Sequence, residues 1–170
     1  ISSHKIGGPT GIAALLMKGH AEQARLIVGG GQESGRRGGT EAAALIAGFG
    51  AAAAAFPARL TAAETWRLVA RIEEGMRAVA PDLVVFGAEA ERIGNVSNVA
   101  MPGIKSSVSM MGLDLAGVSV SSGSACSSGK VGASHVLAAM GVPAALGECA
   151  LRISFGWNST EAAADAYLKG

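Results

Sequence analysis

Lys5 stands between His4 and a Gly7-Gly8-Pro9 turn, in the stretch SSHKIGGPTG that runs from Ser2 to Gly11. A primary amine held at the edge of a turn can form a Schiff base with a carbonyl compound when its neutral form is accessible. Read as an extended strand, the stretch puts Ser2 and His4 on one side, where a hydroxyl and an imidazole can meet an anion. The residues alone favour an ordinary surface lysine over a site residue.

Three further groups carry chemistry. The segment GGGQESGRRGGT, Gly29 to Thr40, places glycine-rich backbone before an expected helix start, the arrangement that cradles phosphate. It is not a P-loop, because Arg36 stands where the lysine is needed, and Ser34 breaks the dinucleotide glycine pattern. Arg37 and Thr40 favour an anion site over a bare surface loop. Cys126 lies in SSGSACSSG, among residues too small to cover a thiol, whereas Cys149 precedes Ala150 and Leu151 as a buried structural cysteine would. An uncovered loop thiol suits a nucleophile that meets more than one partner. His135 follows nine residues later, but the ligand count is too low for zinc and no metal site is expected. Arg152 alternates with Leu151 and Ile153, so it faces away from the core, either as a structural ion pair or as a bidentate partner for a carboxylate.

The elements that must hold these groups read as α/β. Ser2 to Met17 predicts strand, turn and strand. Leu26 to Val28 is another short apolar stretch, and Gly29 to Thr40 is too glycine-rich for helix or sheet. Thr40 reads as the N-cap of a helix reaching Phe56, with Pro57 breaking it. Thr61-Ala62-Ala63-Glu64 is a capping-box pattern, and Trp66, Val69, Ile72, Met76 and Val79 follow at helical spacing up to Ala80. Strands are predicted at Leu83 to Phe86, Asn95 to Met101, around Val118 and Val120, and at Leu151 to Phe155. Helices are predicted at Ser107 to Leu115, at His135 to Met140 and from Thr160. A domain boundary is expected between Pro57 and Thr61, giving residues 1–60 and 61–170.

Bulk properties narrow the function. The 170 residues are 49% hydrophobic and 16% charged, which supports a packed core and excludes disorder. A net charge of +1 supplies no field for nucleic acid or an anionic membrane. Two cysteines cannot make a secreted disulfide framework. The longest uncharged run, Ala42 to Pro57, is too short for a membrane span. With no secretory pattern, a cytoplasmic protein is expected and the two Asn-x-Ser/Thr sequons are discounted.

Taken in order, SSHKIGGPTG, GGGQESGRRGGT, VSVSSGSACSSG with SHVLAAMG, and LRISFGWNSTEA resemble one family: the NifS/IscS-like cysteine desulfurases, pyridoxal-phosphate-dependent enzymes of the class V aminotransferase group with fold type I. The resemblance runs from Ser2 to about Thr160. It implies that residues 1–60 are the C-terminal part of the large cofactor-binding domain and residues 61–170 a smaller α+β domain. It implies that Lys5 bonds pyridoxal 5'-phosphate covalently, that Ser2 and His4 hold the cofactor phosphate, and that Thr40 reaches the phosphate in the other subunit of a homodimer. Cys126 would take sulfur from L-cysteine as a persulfide, releasing L-alanine, and Arg152 would bind the substrate carboxylate. The sulfur would pass to an iron–sulfur scaffold or another acceptor. Gly132-Ala133 departs from the Glu-Pro usual in the family before the Ser-His pair. In the family the cofactor lysine lies near mid-chain, so the N-terminal half, with the acidic partner of the pyridine nitrogen, is expected as a separate requirement and this chain alone is expected to be inactive. Readings kept beside this one are a selenocysteine lyase or another aminotransferase-like enzyme, a non-catalytic fragment of the same fold, and, last, a nucleotide-binding module.

Overall fold

The computed structural model describes residues 1–19, 21, 25–59, 62–122 and 134–170. These form an α/β chain of two compact units, Ile1–Arg59 and Leu60–Gly170.

In the first unit the predicted strand–turn–strand is realised only at its ends. Ser2 bridges Ala13 in antiparallel fashion, the Ser3 amide donates to the Ile12 carbonyl at 3.1 Å, and the Ala14 amide donates to the Ile1 carbonyl at 2.8 Å. Between them, Ser3–Ile6 winds into a 3-10 turn that Gly7 ends at φ 83°. The Gly8 amide closes it on the Ser3 carbonyl at 3.0 Å. Ser2 and His4 therefore do not share one side of a strand, because His4 lies inside the 3-10 turn, which Gly7 ends in the left-handed region that glycine enters without a Cβ penalty.

The glycine-rich segment, expected to be irregular, contains another 3-10 turn, Gln32–Gly35, in which Glu33 and Ser34 are left-handed at φ 49° and 58°. The Leu26 amide bonds the Arg36 carbonyl at 3.0 Å, and the Gly38 amide bonds the Ile27 carbonyl at 2.8 Å. A Cβ on Gly38 would sit 2.7 Å from the Gly29 Cα, so this close approach of two backbones admits no side chain.

Helix α1 is Ala43–Arg59. It starts later than the Thr40 cap predicts, because the Ala43 amide first closes a turn on the Glu41 carbonyl at 3.0 Å. Pro57 lies inside its last turn instead of breaking it. Near a helix end a proline forfeits one ladder bond, and the alanine-rich stretch before it is a strong helix former.

The second unit opens with α2 (Ala62–Val79), followed by β1 (Val84–Val85), β2 (Val96–Ala100), α3 (Ser106–Leu115), β3 (Ser121–Ser122), α4 (His135–Ala139), α5 (Ala144–Gly147), β4 (Ala150–Ser154) and α6 (Glu161–Lys169). The strands form one antiparallel sheet in the order β1-β2-β4-β3. The strand predicted around Val118 and Val120 falls instead on Ser121–Ser122, and the short α5 was not predicted.

Alternation divides the sheet into two faces. On one, Val99, Leu151 and Ile153 meet Leu68, Val69, Ile72 and Met76 of α2, Leu113 of α3, and Ala164 and Tyr167 of α6. Ile72 and Val69 are wholly buried, and each such side chain contributes roughly 1.5–3 kcal/mol. On the other face, Ala100, Ala150 and Val84 pack with Phe86, Leu137, Leu146 and the buried Cys149. That second cluster covers one end of the face and leaves Asn98, Arg152 and Ser154 beyond it.

Candidate active site

Lys5 ends up exposed in the last turn of the 3-10 segment, with His4 beside it, also exposed, and Ser2 half-buried just before it. The turn is seated on α1. A Cβ on Gly8 would meet Ser3 Oγ and lie 3.0 Å from the Ala52 Cβ, and one on Gly48 would lie 3.0 Å from Pro9 Cγ. Gly48 and Ala52 on α1 thus let Gly8 and Pro9 of the lysine turn pack closely against the helix. The Ser2 carbonyl accepts the Lys5 amide at 3.1 Å, which fixes the lysine's backbone relative to the bridge with Ala13. Ser3, which sequence reasoning passed over, is wholly buried, and its Oγ finds no hydrogen-bond partner among the described residues.

As a donor set, Ser2, His4 and Lys5 offer one hydroxyl, one imidazole and one uncovered amine within a single turn. That set fits a ligand carrying a carbonyl and a phosphate. Thr40 belongs to the same unit and is exposed, three residues before α1.

Arg152 is placed by β4. Leu151 and Ile153 are buried, and Arg152 and Ser154 point out on the opposite face, as their alternation predicts. Arg152 is opposed by Asn98 on β2 and by Ser121 on β3. Sequence reasoning missed both neighbours. Two polar residues, Ser97 and Asn98, interrupt the Val96–Ala100 strand, and their alternation was the available signal that Asn98 faces away from Val99. Cys126 lies outside the described residues, in the segment that begins directly after β3.

Elsewhere in the second unit, a cleft of about 490 Å³ lies against α3, lined by Ser106, Met110, Met111, Asp114 and Ser122 among others. It holds hydroxyls, thioethers and one carboxylate. Among the described residues, none of the candidate site residues singled out from the sequence lines it.

The profile of the aminotransferase class-V family matches residues 1–167. This chain belongs to the class-V aminotransferase family. Its similarity extends to proteins with a named activity: it is 37% identical to a cysteine desulfurase of Trichormus azollae over 99% of this chain and 43% of that protein. It is also 37% identical to an IscS-like cysteine desulfurase of Mycobacterium tuberculosis, over 99% of this chain and 44% of that protein. Among solved structures, a NifS-like protein superposes with a TM-score of 0.82 at 29% identity, covering 99% of this chain and 43% of its own. The class-V aminotransferase chain therefore spans less than half the length of the relatives it matches. No helix among its described residues is long and apolar enough to cross a membrane.

Proposed function

We propose that this chain supplies the lysine, the sulfur-accepting cysteine and the carboxylate-binding arginine of a cysteine desulfurase that uses pyridoxal 5'-phosphate. The observation that carries the reading is the pairing of Arg152 with Ser121: the strand bearing the candidate carboxylate partner is bonded to the strand that leads into the segment of Cys126.

Lys5 would hold the cofactor through its amine, and Ser2 and His4 would hold the phosphate, with Thr40 serving the other subunit of a homodimer. When bound, the cofactor supplies an electron sink that lets the C–S bond of L-cysteine break. Arg152 would fix the substrate carboxylate through paired charge-assisted hydrogen bonds, which sets the substrate's orientation. Cys126 would receive the substrate sulfur as a persulfide while L-alanine leaves, and would hand that sulfur to an acceptor such as an iron–sulfur scaffold. The acidic partner that such a cofactor's ring nitrogen requires would come from the part of the relatives' length that this chain does not cover. Residues 1–60 are assigned to the large cofactor-binding domain, residues 61–170 to the small domain, and the site of action to the cytoplasm.

The test is covalent trapping. The natural protein that carries these residues, loaded with pyridoxal phosphate and reduced with borohydride, is expected to carry the label on the peptide containing Lys5. A label on any other lysine removes the cofactor assignment.

A further inference from the structure

Asn98 and Arg152 oppose each other across β2 and β4. The Asn98 carbonyl accepts the Phe86 amide at 2.8 Å, toward β1, and the Asn95 carbonyl accepts the Phe155 amide at 2.8 Å, toward the β4 side. A strand residue sends both its backbone groups the same way, and successive residues alternate. Odd-numbered residues of β2 therefore bond to β4, and Asn98 with Arg152 is a non-hydrogen-bonded pair. In that class the Cα atoms stand about 4.5 Å apart instead of about 5.5 Å, and the two side chains leave the same face at the closest spacing a ladder offers.

The two side chains are chemically complementary. Asn98 Oδ1 is shut off from solvent and has no hydrogen-bond partner among the described residues. A buried acceptor left bare is destabilising, so its retention calls for a partner. Arg152 is exposed, and no ion pair or side-chain hydrogen bond engages it among the described residues. Guanidinium has five N–H donors and no acceptor, and gripping a carboxylate with one edge leaves other donors free.

We infer that Asn98 is the positioning residue of Arg152: its Oδ1 accepts one guanidinium N–H when a carboxylate is bound, and so presents the opposite edge of the fork to that carboxylate. The inference rests on the reading of Arg152 as the substrate-carboxylate partner. A neutral acceptor suits this task, because an aspartate at position 98 would neutralise the arginine and compete for the same edge.

The experiment measures, in the natural protein loaded with its cofactor, kcat and KM for L-cysteine and, by calorimetry, the Kd of L-alanine. Asn98→Val removes the acceptor and is well suited to a strand. It is expected to raise KM and the alanine Kd about tenfold, with kcat within about twofold and the melting temperature unlowered. Asn98→Val placed on Arg152→Ala is expected to add nothing. Unchanged KM and Kd in Asn98→Val, beside a rise in Arg152→Ala, overturn the positioning role and leave the arginine reading standing. Unchanged values in Arg152→Ala overturn both. Should Asn98→Val fail to fold, Asn98→Asp takes its place, with a rise above about tenfold expected and an unchanged KM overturning the inference.

Discussion

Arg92 donates a hydrogen bond of 2.8 Å to Glu73 Oε1 from nineteen residues away, and Ser97 Oγ donates to the same oxygen at 2.6 Å. Glu73 is buried on α2, Ser97 is wholly buried on β2, and the Arg92 guanidinium lies 5.4 Å from the centre of the Trp66 ring. One carboxylate thus ties the helix, the sheet and the segment before β2 together. Glu73→Ala would leave Arg92 and Ser97 without their acceptor and is expected to cost about 3 kcal/mol in denaturant unfolding. A loss below about 1 kcal/mol would mean that the pair is no more than a surface contact.

The same group sets a pH dependence. Burial alone would push the Glu73 carboxyl up, but the hydrogen bonds from Arg92 and Ser97 and the charges of Arg92 and Arg77 together outweigh it and hold the carboxyl below its usual range. A carboxyl depressed on folding stabilises fully above its unfolded value, and that contribution fades as pH falls through the folded one. Stability is therefore expected to drop on acidification below about pH 4.3. The Glu73→Gln variant should show a shallower drop, and identical slopes would contradict the assignment.

At the alkaline end the relevant group is Tyr167. Its buried hydroxyl donates to Met76 Sδ at 3.2 Å, and burial pushes its ionisation up to about 12. The unfolded phenol ionises near pH 10, so stability is expected to fall from about pH 10 upward until the folded phenol also ionises. Tyr167→Phe should remove that part of the alkaline slope in melting curves.

For the proposed reaction, Arg152→Ala is expected to raise KM for L-cysteine by at least about 10- to 150-fold, the equivalent of losing one of its paired charge-assisted hydrogen bonds. Steady-state kinetics over a wide cysteine range would read it. An unchanged KM would leave the arginine with a structural role only.

Cys126→Ala is expected to stop alanine release while borohydride trapping on Lys5 persists. The split matters more than either result alone, because it separates the sulfur step from cofactor binding. Full alanine release in this variant would assign the sulfur to another nucleophile.

The sequence was most legible where periodicity carried the information. Val69, Ile72 and Met76 are buried on α2 as their spacing predicts, and Arg152 faces out between two buried residues of β4. Val79 keeps the spacing but is 83% exposed, because it is the last residue of α2. The lysine turn was misread as a strand because SSHKI has no period of its own. Its shape comes from Gly7 and from seating against α1, which is tertiary information. Strand β3 likewise went to Ser121 and Ser122, which have little strand preference, because they lie opposite Arg152 and Leu151. Asn98 could be seen as polar in the sequence, but only the register of β2 against β4 sets it beside Arg152.

The seating of the lysine turn against α1 has a consequence for tolerance to mutation. At Gly8 a Cβ would clash with Ser3 Oγ, and at Gly48 it would crowd Pro9 Cγ at 3.0 Å, so even an alanine at either position forces the turn or the helix to shift. Neither glycine has a functional group, yet each enlargement would displace the platform on which Lys5 stands. Inactivating changes should therefore gather at chemically silent positions as well as at the lysine itself.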